Sequence, residues 1–366
     1  MQRTRPPFRA DHVGSLLRPA ALKEARARRA KGEISAPDLK AVEDREIERA
    51  IRKQEEVGLQ AATDGEFRRS WWHLDFLWGL DGVEKHVMET GVAFAAVNTR
   101  NEGIKVTGKV GYTSHPMIEH YKFVADHTKV TPKITIPAPS AIYGRPTATP
   151  IDKTAYKDLD SFFHDVGQAY RKAVRAFADA GCRYLQLDEV FIAMLCDEKY
   201  RQQMRDRGDD PEKLGEIYGD LINAAMSDIP DDMTITMHMC RGNYKSTFMG
   251  AGGYDAVQEI LFNKINVHGY FMEYDDARSG GFEPLRMLPK GKQVVLGIVT
   301  TKTGTLESKD DLKRRIDEAA RFVALDQLCL SGQCGFASTE EGNVLTEDEQ
   351  WAKLRRIVEV AGEVWG

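Results

Sequence analysis

The sequence predicts an α/β fold, a single (β/α)8 TIM barrel over residues 1–366 with a long insertion after its second strand. Three observations carry that expectation. Eight short runs rich in Val, Ile and Leu end in polar residues, helical stretches separate most of them, and 366 residues, 42% hydrophobic and 29% charged, suffice for one large core. In chain order the runs are 12–17, 59–66, 133–137, 183–188, 233–238, 270–273, 294–299 and 327–330. Eight strands joined by crossover helices suit a closed barrel better than an open sheet.

The helices between them carry their own punctuation. Ser35 is an N-cap candidate for a helix with Pro37 in its first turn, running to about Val57 and ended by Gly58. From Asp160 to Ala180 the apolar residues Phe162, Val166, Tyr170, Val174 and Phe177 recur at helical spacing, and Gly181 stands where a C′ glycine is expected. Ser308 and Asp311 resemble a capping box opening a helix to Ala324. The exception to the alternation is the insertion, about 67–132, whose alternating stretch from Ile104 to Gly111 reads as a hairpin or lid.

Composition narrows the partners. A net charge of −5 with interspersed signs argues against a nucleic-acid surface. No apolar run approaches the roughly 20 residues of a membrane span, and the basic first ten residues have no apolar h-region, so the expected location is cytoplasmic. Five cysteines in so long a chain are sparse and odd in number, which does not suggest a disulfide framework. A special cysteine here should act as a thiolate, on a small-molecule partner.

His238-Met239-Cys240 lies where the fifth run ends, and alternation places both outer side chains on one side. Nine histidines and five cysteines give about 0.12 such pairs by chance, so alone the motif is weak. Position strengthens it, because Glu273 ends the sixth run and Cys334 follows the eighth, and barrel strand ends converge on one mouth. Nitrogen, sulfur and carboxylate donors in tetrahedral number suit Zn²⁺ better than Mg²⁺ or Ca²⁺. Two thiolates and a carboxylate would leave the site at −1, a poor activator of water. A thiol displacing Glu273 would instead be held as an electron-rich thiolate, able to attack alkyl carbon. Cys182, Cys196 and Cys329 read as ordinary buried thiols.

These residues resemble the C-terminal catalytic barrel of the cobalamin-independent methionine synthase family over nearly the whole chain. His12-Val13-Gly14-Ser15 is similar to the family's first-strand Gly-Ser, Asp64-Gly65-Glu66 to its Gly-Glu, and Gln186-Leu187-Asp188-Glu189 to its Asp-Glu-Pro. His238-Met239-Cys240 is similar to its zinc motif, which Glu273 and Cys334 complete. The resemblance implies methyl transfer from a methylfolate-type donor to the thiol of homocysteine, giving methionine. Zinc would bind the sulfur, Glu66 and Asp188 the ammonium group, and the turn at Ser15 the carboxylate. Paired carboxylates and a glycine-turn backbone suit those charges.

Two departures fall on the donor side. Where the family has a Leu-Asn-Trp element whose tryptophan stacks on folate, this chain reads Ile136-Pro137-Ala138-Pro139-Ser140-Ala141-Ile142-Tyr143. Where the family has an Asp-x-His that protonates the leaving folate, Thr300-Thr301-Lys302 stands, so Lys302 becomes the candidate acid. Trp71, Trp72, His73 and Trp78 offer a replacement aromatic wall. Alternatives stay open: alkyl transfer to another thiol such as coenzyme M by epoxide opening, a methylcobamide donor, a metal-free barrel of the uroporphyrinogen decarboxylase type, or a zinc that only staples the fold.

Overall fold

The computed structural model describes residues 3–94, 97–145 and 148–366. Two helices, α1 (Ala20–Ala30) and α2 (Ala36–Glu56), lead to a two-residue strand β1 (Ala61–Ala62). The insertion follows with a short helix α3 (Leu74–Leu77), strands β2 (Asp81–Val87) and β3 (Glu102–Gly111), and helix α4 (Met117–His127). Strands β4 (Thr131–Pro132) and β5 (Ile134–Pro137), helix α5 (Leu159–Asp179) and strand β6 (Tyr184–Glu189) come next. Helices α6 (Phe191–Met194), α7 (Glu198–Asp206) and α8 (Pro211–Ala225) precede β7 (Thr234–Met239), β8 (Gly269–Glu273) and β9 (Gln293–Val299). Helix α9 (Lys309–Ala319), strand β10 (Leu328–Gly332) and helix α10 (Glu347–Trp365) complete the chain. Among the described residues no helix is long and apolar enough to cross a membrane.

The architecture is mixed α/β, built on a parallel six-stranded sheet in the order β5-β6-β7-β8-β9-β10. These six strands fall within one or two residues of the runs read from the sequence, and every residue in them is buried. Burial on both faces is what a parallel sheet covered by helices requires, and the polar residues within these strands, such as Gln186, Thr236 and His238, are buried with the apolar ones. The α5 face read from periodicity is the buried one: Phe162, Val166, Tyr170, Val174 and Phe177 are all inside, and Gly181 turns the chain out of the helix at φ +93°. Ser35 and Asp38 form a reciprocal capping box on α2. The helix opened by Ser308 ends at Ala319, five residues before the expected Ala324. In the insertion, β2 and β3 form the expected antiparallel hairpin.

The first two expected strands require correction. Residues 12–17 form no strand: the segment meets β10 through one parallel bridge, Ala10 with Leu330. The run 59–66 contracts to β1, which pairs in parallel with β4. The physical reason is local, since Gly14 (φ +132°), Gly65 (φ +63°) and Glu66 (φ +61°) leave the extended region and interrupt any ladder. Other bonds link these segments: the Thr63 hydroxyl donates to Gly14 O at 2.6 Å and Leu16 N donates to Gly65 O at 3.0 Å. Asp11 N donates to Leu330 O at 3.0 Å, and Lys133 N donates to Ala62 O at 2.9 Å.

Close approach of the first segment to the turn after β10 rests on Gly335. A Cβ there would lie 1.9 Å from Ser15 Oγ and 3.3 Å from Ser15 N. We expect Gly335→Ala to lower the unfolding free energy by about 1–3 kcal/mol in urea titrations, the cost of overpacking a close contact. Adding Ser15→Ala, which removes the clashing oxygen, should recover much of that loss.

Candidate metal and substrate site

Parallel register brings the ends of β6 and β7 together. Asp188 pairs with His238 across the two strands, and Cys240 follows β7, its backbone N–H donating to Glu189 O at 3.0 Å. Cys334 lies two residues beyond β10, in a turn held by Gln333 N on Val299 O at 2.9 Å and by Asn243 Nδ2 on Gly335 O at 2.8 Å. Donor atoms of His238, Cys240 and Cys334 all lie within 4.8 Å of one another, and all three residues are buried. The two sulfurs stand 3.5 Å apart. That is far beyond the ~2.05 Å of a disulfide and near the roughly 3.8 Å that separates two thiolates on one tetrahedral zinc.

Behind the histidine stands a carboxylate, the usual support of a metal-ligating imidazole. His238 Nδ1 is 3.4 Å from Asp188 Oδ1, itself fixed by Gln186 Nε2 at 2.7 Å, while His238 Nε2 is 3.2 Å from Gln333 O. Burial pushes the His238 imidazolium down, but the Cys334 sulfur and Asp188 outweigh it and raise the group to about 10. The hydrogen bond with Cys240 draws the Cys334 thiol well below its ordinary range against burial, with His238 adding to the effect. Cys240 is pushed well above that range by the same bond and by burial. Burial alone dominates elsewhere, and Cys182 rises to about 12. Two buried sulfurs and an imidazole backed by a carboxylate are a donor set that fits zinc, which would take the place of the protons these groups otherwise share.

Glu273 and Lys302 lie outside the group of three donors, although the Glu273 charge reaches both Cys240 and Cys334. Glu273 Oε2 accepts from Arg241 N at 3.0 Å, while Oε1 pairs with Arg278 and lies 3.6 Å from Lys302 Nζ. Burial raises the Glu273 carboxyl, but Lys302, Arg278 and Arg241 together outweigh it and lower the group, so it is ionised. Lys302 Nζ lies 2.6 Å from Asp275 Oδ2. The sequence reading missed Arg278 and Asp275, which belong to no motif. The one available signal was the acidic run Glu273-Tyr274-Asp275-Asp276 at a strand end.

The three donors open into a cleft of about 870 Å³ that Ser15, Glu66 and Asp188 also line, whereas Glu273 and Lys302 do not. Ser15 Oγ accepts from Ala337 N at 3.3 Å. The left-handed turn at Glu66 is fixed by Asp64 Oδ1, which accepts from Glu66 N at 2.8 Å. Glu66 Oε1 accepts from the Thr135 hydroxyl at 2.9 Å, while Oε2 is buried without a hydrogen-bond partner, 3.6 Å from Arg69. Burial pushes Glu66 up to about 7, with Arg69 opposing and Asp188 reinforcing the rise. Across the cleft stand Trp71, Trp72 and His73 from the start of the insertion. Trp71 Nε1 donates to Glu102 Oε2 on the hairpin at 2.6 Å, and the Trp72 and His73 rings lie 4.3 Å apart at 30°. Trp78 is not part of this wall; its indole donates to Gly103 O at 3.0 Å.

The model of the cobalamin-independent synthase catalytic domain matches residues 8–363. Bacillus subtilis strain 168 has a protein named only as uncharacterized protein YxjH that is 54% identical, covering 98% of this chain and 95% of its own. The crystal structure of a putative vitamin-B12 independent methionine synthase from Listeria monocytogenes is 40% identical, covers all of both chains and superposes with a TM-score of 0.80. The methionine synthase of Pyrococcus abyssi is 24% identical, over 94% of this chain and 91% of its own. With a family model spanning almost its whole length, this chain belongs to the cobalamin-independent synthases as a form of their catalytic domain.

Proposed function

We propose that this protein is a zinc-dependent methyltransferase that transfers a methyl group from a methylfolate-type donor to the thiol of homocysteine, giving methionine. One observation carries the reading: His238, Cys240 and Cys334 bring their donor atoms within 4.8 Å in the same cleft that Ser15, Glu66 and Asp188 line. Family membership supports the reaction class. The bonds of Asp11 with Leu330, Leu16 with Gly65 and Lys133 with Ala62 support reading the eight segments as one closed barrel with this cleft at its mouth.

Zinc held by His238, Cys240 and Cys334 would supply the positive charge that keeps a substrate thiol ionised near neutral pH. The chain's own residues bind and orient. Glu66 and Asp188 receive the ammonium group of homocysteine, and the turn at Gly14 and Ser15 its carboxylate. Asp188 also steadies the His238 ring. Trp71 and Trp72 form the wall against which the donor lies, in place of the family's tryptophan. In the reaction a sulfur–carbon bond forms as the donor–methyl bond breaks, and the electron pair of that bond leaves with the donor, which takes up a proton in place of the one the thiol gave up. We assign Glu273 as the fourth donor to the metal, exchangeable with its place on Arg278 and Lys302. Lys302 then acts by holding Glu273 rather than as the acid for the leaving group.

Purified wild-type protein should carry about one zinc per chain, and Cys240→Ser or Cys334→Ser should lose both the metal and homocysteine methylation. A fully active, zinc-free Cys240→Ser variant would sink the proposal. X-ray absorption on the zinc-loaded protein should register one added sulfur in the metal's first shell when homocysteine is supplied. An unchanged shell would point to a metal that only staples the fold.

The raised Glu66 carboxyl gives a pH signature. Glu66 favours the substrate ammonium only when ionised, so homocysteine affinity should fall as pH drops through about 7. Glu66→Gln should weaken binding tenfold or more at pH 8 and remove this part of the pH dependence, as read by calorimetric titration. Equal affinities of the two proteins across pH 6–8 would remove Glu66 from the ammonium site.

A further inference from the structure

The cleft carries one charge that the homocysteine reading leaves unused. Arg145 lines it, is 6% exposed, and has no carboxylate within 4.0 Å among the described residues. Its side-chain contacts are all with neutral groups: the Met88 thioether at 3.7 Å, Glu102 O at 3.5 Å and His73 Nε2. Arg69, also buried in this region, instead faces Glu66 at 3.6 Å. A guanidinium out of water without a counter-charge is costly, and such a group is stabilised by a planar or tetrahedral oxyanion that its fork can grip.

A second donor stands beside it. His73 Nε2 accepts from Arg145, which leaves the ring proton on Nδ1, and Nδ1 is buried without a hydrogen-bond partner. Burial and the neighbouring Arg145 charge hold this imidazole neutral. Three acids line the cleft: Glu66 and Asp188 lie with the metal donors and disfavour an anion there, while the Glu102 carboxylate is taken up by Trp71 Nε1 at 2.6 Å and Arg100 at 3.4 Å. The cleft therefore holds two acids beside the metal donors, whereas beside the aromatic wall the one acid, Glu102, is paired with Arg100 and Arg145 has no counter-charge among the described residues. Arg145 also lines an adjoining cavity with Lys199 and Gln203, so a molecule bound at the guanidinium has room to extend away from the metal.

We propose that Arg145, with His73, is the anchor for an oxyanion carried by the methyl donor, so that the second substrate is an anion bearing a carboxylate, sulfonate or phosphate group. The assignment of that anion to the donor rests on the methyl-transfer reading above; the anion site itself does not. Trp72, whose ring lies against His73, reports on it.

The test uses the zinc-loaded full chain and its Arg145→Gln and Arg145→Lys variants, with benzoate, benzenesulfonate and phenyl phosphate as probes and benzyl alcohol as the neutral control. At least one oxyanion should quench tryptophan fluorescence saturably, and the probe that binds best identifies the oxyanion class. Affinity should drop at least tenfold in Arg145→Gln and be partly retained in Arg145→Lys, while benzyl alcohol should show no difference among the three. Should Arg145→Gln fail to fold by circular dichroism, a loss of threefold or more in Arg145→Lys is the expected result. On cobalt-substituted protein, the sulfur-to-cobalt charge-transfer band should report the same homocysteine affinity in wild type and Arg145→Gln.

Equal quenching of wild type and variants, or no saturable quenching of the wild type, overturns the anion site. Homocysteine binding weakened in step with the probes overturns its assignment to the donor, because Arg145 would then serve the thiol substrate. If no thiol band forms in the wild type while anion binding keeps its dependence on Arg145, the homocysteine reading falls and the anion site stands.

Discussion

Two sulfurs and an imidazole buried within 4.8 Å of one another constrain everything around them. Removed from water, such groups hold opposite charges in balance or they do not coexist, because low-dielectric surroundings amplify every unpaired charge. The protein meets that constraint with a carboxylate behind the histidine and a proton shared between the cysteines. It also keeps a second cluster, Glu273 with Arg278, Lys302 and Asp275, that neutralises itself. Both clusters sit at strand ends, where parallel register brings residues distant in sequence to one level.

The sheet and the site compete for the same backbone near the N-terminus. Residues 12–17 and 59–66 have the composition of strands, yet three residues with positive φ turn them into loops. What the ladder loses, the cleft gains: Ser15 is brought against Gly335 and Glu66 is turned toward Asp188. Strain of this kind collects where a structure holds side chains for a purpose other than stability.

Most of the sheet was legible because six of the eight runs are short and rich in Val, Ile, Leu and Met, and these six form the parallel sheet. The other two runs, 12–17 and 59–66, contain Gly14 and Gly65, whose positive φ cuts the ladder short although the composition is that of a strand. His238, Cys240, Cys334, Ser15, Glu66 and Asp188 were legible as strand-end residues and share one cleft. Glu273 was legible as a strand-end acid, but its partners were not, since Arg278 reaches it from an irregular loop with no pattern to announce it. Arg145 escaped for the same reason: it lies between a short turn after β5 and the next helix, and its meaning comes from charges that are not there.

The hairpin of β2 and β3 is tied to the rest of the molecule by side chains. Trp71 Nε1 binds Glu102, and Arg100 pairs with Glu340 at 2.7 Å and Glu341 at 3.2 Å in the turn after β10. The wall facing the thiol is therefore carried by an inserted segment, while the metal donors belong to the sheet. That division makes the cleft two-part: under the methyl-transfer reading proposed above, a change in the hairpin and its few tethers would reshape the donor side while leaving His238, Cys240 and Cys334 in place.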